Sequence, residues 1–235
     1  STRTLTLFPY TTLFRSGDSI GSYFSYNFEK TETVEVKIGV SYVSIENARE
    51  NLEKETGNKS FDAVCKETYN EWNELLSKIK VEGGTTEDKT VFYTALYHTL
   101  IHPNTLNDFN GEYLEIKTGK IGKTDGTRYT VFSLWDTYRN VHQLMSLVYP
   151  QQQLDMVKSM LDMYDENGWL PKWELNSTET FTMVGDPASI VITDTYLKGI
   201  KDFDVQKAYT AMLKSADQLE NNPLRPGLKD YIQKG

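Results

Sequence analysis

Residues 132–175 read FSLWDTYRNVHQLMSLVYPQQQLDMVKSMLDMYDENGWLPKWEL. From Pro150 onward, Leu154, Val157, Met160, Leu161 and Tyr164 recur at helical spacing. Pro150 suits a first helical turn and Asn167-Gly168 a C-cap, so the pattern predicts a helix from Pro150 to Glu166. A further helix is predicted just before it, from Trp135 to Tyr149. After it comes Gly168-Trp169-Leu170-Pro171-Lys172-Trp173-Glu174-Leu175, an aromatic segment held extended by proline. Long helices in succession, joined by chemically rich loops, indicate a compact helical array whose loops carry function.

The pattern continues on both sides. Downstream, helices are predicted from Pro187 to Ile200 and from Val205 to Leu219. Upstream, Thr85 or Thr86 opens a helix to about Ile101, with Pro103 as its stop. Tyr113, Leu114, Ile116 and Ile121, with the turn Thr124-Asp125-Gly126, predict one or two hairpins between Asn104 and Tyr129. A helical stripe runs from Phe61 to about Val81 and closes at Gly83-Gly84. Ser44 caps a helix from Ile45 to about Thr56, ended by Gly57-Asn58. Only about Ser22 to Val43 has a different period. Tyr23, Phe24, Tyr26 and Phe28 lead into Val34, Val36, Ile38, Val40 and Tyr42, which alternate with Thr33, Glu35, Lys37, Gly39 and Ser41. Period two predicts strands with one buried and one wet face. A strand-rich N-terminal piece thus passes through linker helices into at least five consecutive helices. A toroid of paired helices and an open helical array both fit this order.

Composition narrows the function. The chain has 235 residues, a net charge of −8, 38% hydrophobic and 25% charged residues. The negative charge argues against binding the phosphate backbone, so no nucleic-acid partner is expected. No apolar run approaches the roughly 20 residues of a membrane span. The single Cys65 excludes an intramolecular disulfide. Ser1–Ser16, STRTLTLFPYTTLFRS, resembles translated sequencing-adapter read-through, with a natural β-strand as the alternative. No start methionine or signal peptide is visible, and both ends read as cut.

Three of the four tryptophans, 135, 169 and 173, lie between Phe132 and Pro187. The apolar face of a pyranose stacks on tryptophan, and its hydroxyls bond to Asp, Glu and Arg, so this block reads as a sugar site. Asp136 and Arg139, at i and i+3, either pair with each other at a helix start or hold two adjacent hydroxyls. Trp169 and Trp173 either cover the core or shape a cleft. Glu174, Glu179, Asp186 and Asp194 form a run of carboxylates of the kind glycoside hydrolysis requires as a pair. Asp186, directly before Pro187, is expected to be an N-cap, and Asp194 to be buried and bonded. His98 and His102 have a zinc-compatible spacing, but Thr99 stands where an acid would follow and the only other histidine is His142. Asn176-Ser177-Thr178 matches a glycosylation sequon.

The strings FSLWDTYRNVH, GWLPKWEL and ETFTMVGDPASIVITDTYLKGIKDFD, with VFYTALYHTLIHPN and VKIGVSYVSIENARENLEKE upstream, resemble glycoside hydrolase family 92, the calcium-dependent exo-acting α-mannosidases. The resemblance implies a mainly α fold. The last strands of an N-terminal β-sandwich (17–44) and linker helices (45–84) precede the first half of an (α/α)6 toroid (85–235), with residues 1–16 set apart. It implies inverting hydrolysis of terminal α-linked mannose on mannans and N-glycans, Ca2+ contacting the mannose diol, and a secreted or periplasmic location. The family's acid, base and most calcium ligands are expected beyond Gly235, so no catalytic residue or metal ligand is assigned here. Asp136, in the WDTYR string, matches the position expected to bind the hydroxyls of the terminal mannose. Arg139, Trp173, Glu174 and Glu179 are its expected neighbours. A half toroid is also expected to expose an apolar edge. A non-catalytic carbohydrate-binding protein using the same Trp/Asp surface is the alternative.

Overall fold

The computed structural model describes residues 3–5, as backbone, and residues 30–235. It divides into two compact units, Ser1–Tyr69 and Asn70–Gly235. In the first, strand β1 (Arg3–Leu5) pairs in parallel with β2 (Val34–Val36), Arg3 opposite Val34 and Leu5 opposite Val36. Helix α1 (Ile45–Glu55) starts where expected, the Ser44 hydroxyl accepting the Asn47 N–H at 3.0 Å. Tyr23, Phe24, Tyr26 and Phe28, and nearly all of residues 1–16, lie outside the described residues.

The long strand expected up to Val43 shrinks to β2, and its facing is reversed. Val36, Ile38, Val40 and Tyr42 are exposed, Ile38 at 79%. The polar alternates face the chain instead. Lys37 Nζ donates to the carbonyls of Gly57 and Lys59, both at 2.6 Å, and Glu35 accepts the Phe61 N–H at 3.2 Å. Alternation identifies two faces but not which one finds a partner.

Helix α2 (Phe61–Leu76) stops five residues before the expected Val81. Leu75 and Leu76 at its end, and Ile79 beyond it, pack against the core of the second unit. Helix α3 (Thr86–Thr99) opens with a reciprocal capping box between Thr85 and Asp88. Two strand pairs follow. β3 (Asn104–Thr105) pairs with β6 (Tyr129–Thr130), enclosing the hairpin of β4 (Glu112–Leu114) and β5 (Ile121–Lys123).

The helix expected from Trp135 to Tyr149 is broken in two, α4 (Leu134–Thr137) and α5 (Val141–Val148). Asn140 leaves the helical region, with φ −155°, while its carbonyl starts α5 by accepting the Leu144 N–H. Gln143 Nε2 donates to the Tyr138 carbonyl at 2.8 Å, satisfying backbone that the break would leave bare.

Helix α6 (Pro150–Asn167) ends on Gly168 in the left-handed region, φ 82°. It packs against α5, β6, α7 (Pro187–Leu197) and α8 (Val205–Asp217). Because partners surround it, more than the expected single face is buried. Gln153, Met156, Ser159 and Met163 join Leu154, Val157, Met160 and Leu161 in the interior. A short helix that sequence patterning missed, α9 (Leu228–Lys234), ends the chain. Leu147 on α5, Ile190 and Leu197 on α7, and Val184 before it are exposed, Leu197 at 75%.

Candidate functional site

The site-forming element is a sheet that patterning also missed. β7 (Phe132–Ser133), β8 (Trp173–Leu175) and β9 (Thr178–Glu179) pair antiparallel, with Ser133 opposite Trp173, Phe132 opposite Glu174, and Glu174 opposite Glu179. Residues 134–172, which hold three helices, separate β7 from β8, so only their pairing brings the WDTYR string beside the aromatic loop. Phe132 and Leu134 anchor one side, each wholly buried in the core.

Asp136 lies on α4 and Arg139 just past its C-cap Tyr138, and both are exposed. They do not pair with each other. The Ser133 hydroxyl donates to Asp136 Oδ2, and the Arg139 guanidinium lies over the rings of Trp135 (4.8 Å) and Tyr138 (5.0 Å). A guanidinium stacked this way loses little freedom on meeting a ligand. Through Ser133, Asp136 is one strand away from Trp173, a half-buried residue.

Glu174 is placed differently from expectation. Its residue is 0% exposed, and its carboxylate holds backbone rather than facing a cleft. Oε1 accepts the Ser177 N–H at 2.6 Å, Oε2 accepts the Val131 N–H at 2.9 Å, and the Thr130 hydroxyl reaches both. Val131 and Ser177 both have left-handed backbone, φ 63° in each, which a β-branched valine adopts only when its surroundings enforce it. Burial pushes the Glu174 carboxyl above its usual range, while the bonds from Thr130, Ser177 and Val131 pull it back.

Glu179 does similar work nearer the surface. It accepts the N–H groups of Lys172 (2.8 Å), Trp173 (3.0 Å) and Phe181 (2.7 Å), and Phe181 is also left-handed, φ 49°. Thus two of the expected sugar-holding residues orient the loop that presents Trp173. Lys172, missed from sequence, is a third such support. Its buried Nζ donates to the carbonyls of Pro223 (3.1 Å), Leu224 (3.4 Å) and Met183 (3.5 Å), and burial lowers its pKa.

Asp186 occupies the N-cap position of α7 but does not cap it. Its Oδ2 accepts from the hydroxyls of Ser189 (2.8 Å) and Ser215 (2.5 Å) and from Arg225 (3.2 Å). The hydroxyls outcompete the backbone because Ser189, Ser215 and Arg225 converge on the same oxygen. Asp194 is half-buried and pairs with Lys198. His98 and His102 are both exposed. Among the described residues, no three His, Cys, Asp or Glu side chains converge as a metal site, so this donor set does not by itself fit a calcium ion.

The sequence profile of the glycosyl hydrolase family 92 catalytic domain matches residues 47–235. The chain belongs to glycosyl hydrolase family 92. It resembles a family GH92 α-mannosidase from Bacteroides thetaiotaomicron, solved in complex with mannoimidazole. The identity is 36% over 75% of this chain and 23% of that one, with a TM-score of 0.71. It also resembles a family GH92 inverting mannosidase from the same species at 29% identity and a TM-score of 0.77, over 83% of this chain and 27% of that one. A curated relative, described as an uncharacterized secreted glycosidase of Arthroderma benhamiae, is 28% identical over 78% of this chain. This chain spans 20% of that relative's length, and about a quarter of each solved structure. The helical region is accordingly part of an (α/α)6 toroid. Among the described residues, no helix is long and apolar enough to cross a membrane.

Proposed function

We propose that this chain is part of a glycosidase that removes terminal α-linked mannose from glycans by inverting hydrolysis, and that its share is to hold the terminal sugar. The observation that carries this is the juxtaposition of exposed Asp136, stacked Arg139 and half-buried Trp173 across the β7–β8 pair. A carboxylate and a guanidinium bond to adjacent hydroxyls, while an indole face covers the apolar side of the ring. Family membership and likeness to two mannosidases support mannose as the sugar.

Inversion needs one carboxylic acid to protonate the leaving oxygen and one carboxylate to activate water across the ring, about 6.5–9.5 Å apart. Glu174 and Glu179 are both engaged by backbone N–H groups, so neither is assigned either role. The acid and base belong, in this reading, to toroid helices outside this chain. Calcium is proposed for the whole enzyme on the family resemblance alone, as is a secreted or periplasmic location.

Calorimetry of the 235-residue chain with mannoimidazole tests the sugar-holding role. Binding that weakens at least about tenfold in Asp136→Ala is expected, the loss of a charge-assisted bond. No binding, or equal binding by the variant, would sink the reading.

A further inference from the structure

Three wholly buried polar side chains, His142, Gln153 and Thr195, lie among the apolar core residues of the second unit. They form one chain of hydrogen bonds. Thr137 Oγ1 lies 2.9 Å from His142 Nε2, His142 Nδ1 lies 3.0 Å from Gln153 Oε1, and Gln153 Nε2 donates to Thr195 Oγ1 at 2.9 Å. The Thr195 hydroxyl donates onward to the Val191 carbonyl at 2.8 Å. The chain therefore links α4, α5, α6 and α7.

Its direction follows from donor counting. Thr195 spends its one proton on Val191, so it accepts from the Gln153 amide nitrogen, and Gln153 Oε1 must face the imidazole. An amide oxygen only accepts, so Nδ1 carries the histidine hydrogen and Nε2 is the acceptor. Thr137 then donates to Nε2, and its 3.2 Å approach to the Ser133 carbonyl is the weaker contact. Burial keeps the ring neutral by lowering its pKa to about 4, against small opposing effects of Gln153 and Asp194.

Apolar side chains would fill this space at lower desolvation cost, so the chain has a purpose other than bulk. It ends on α4, a single four-residue turn, which has no stability of its own. Thr137 is next to Asp136 in that turn. We infer that His142 is a positioning residue that, through Thr137, locks α4 in the orientation that presents Asp136 and the Trp135–Arg139 stack to a sugar. This rests on the proposed sugar-holding role of Asp136.

The test compares the 235-residue chain with T137V, H142F and H142Q. Valine keeps the shape of threonine without the hydroxyl. Glutamine can restore an acceptor towards Thr137 and a donor towards Gln153. The first readout is hydrogen exchange at the Tyr138 amide, which donates to the Leu134 carbonyl at 3.0 Å and so reports α4 directly. Exchange about tenfold faster in T137V and H142F, restored in H142Q and unchanged along α6, is the expected result. Unchanged Tyr138 exchange in T137V overturns the inference, and T137V decides alone if H142F fails to fold. The second readout is mannoimidazole affinity, expected to be about tenfold weaker in T137V and recovered to within about twofold by H142Q. Loss of binding in Asp136→Ala together with unchanged binding in T137V overturns the positioning role and leaves the sugar-holding role standing. Absence of binding by the parent chain overturns the sugar-holding role, and Tyr138 exchange then judges the link to α4 independently.

Discussion

Glu174→Gln is the most direct probe of how the site is built. The carboxylate has two acceptor oxygens and receives two backbone N–H groups, one on each, with the Thr130 hydroxyl reaching both. A glutamine keeps the shape but has one oxygen, so its amide nitrogen must face either the Val131 or the Ser177 N–H. That leaves a buried donor unpaired in a site with no exposure, at about 1–3 kcal/mol. The hydroxyl of Thr130 rotates and adds little. Losing a charge-assisted bond adds about 1 kcal/mol, and no longer burying a charge returns a similar amount. The net expectation is a destabilisation of about 2 kcal/mol, or about 4–8 °C in melting temperature for a unit of this size. Tryptophan fluorescence during urea and thermal unfolding measures it, since Trp169 and Trp173 flank the loop. Glu179→Gln is the control. It loses one N–H contact at a half-exposed position where water substitutes, and should cost about 1 kcal/mol. A Glu174→Gln melt within about 1 °C of the parent, or a reversed order of the two variants, would refute the reasoning.

Other outcomes follow from the same structure. The neutral His142 contributes stability that is full above its ordinary value of 6.5 and is lost as pH falls towards about 4, roughly 3 kcal/mol over that window. Burial-raised Asp162, Glu166 and Glu174 act in the opposite sense, their contribution falling as pH rises above the ordinary carboxylate range, so the parent-minus-H142Q difference between pH 7 and pH 4 isolates the histidine. A flat difference contradicts its burial as a neutral ring. Phe132→Ala should cost about 3–5 kcal/mol by denaturant unfolding, because its side chain lies in the core beneath β7. Exposed Leu147, Ile190 and Leu197 should make the isolated chain self-associate, and a monomeric elution profile at every concentration would contradict this. In the intact enzyme, EDTA should abolish release of mannose from an α-mannoside, and undiminished turnover in EDTA removes calcium from the proposal.

Helical periodicity and capping residues were sufficient for most of the helices. Ser44 and Thr85 act locally on the next few N–H groups, and Gly168 meets a local need for left-handed backbone, so all three are legible along the chain. The aromatic and acidic composition of residues 132–187, with the family strings inside it, likewise marked the site region before any fold was known. What each carboxylate does there depends on partners far away in sequence. Asp136 and Glu174 look equivalent as residue types, yet one is exposed on a helical turn, while the other is enclosed by Thr130 and Val131, more than forty residues earlier in the chain. The sequence by itself determined most of the helices, the caps at Ser44 and Thr85, and the family. Only the tertiary structure decided which acids face solvent and which hold backbone, because a carboxylate bonds to whichever donors the packing of distant segments brings within about 3 Å.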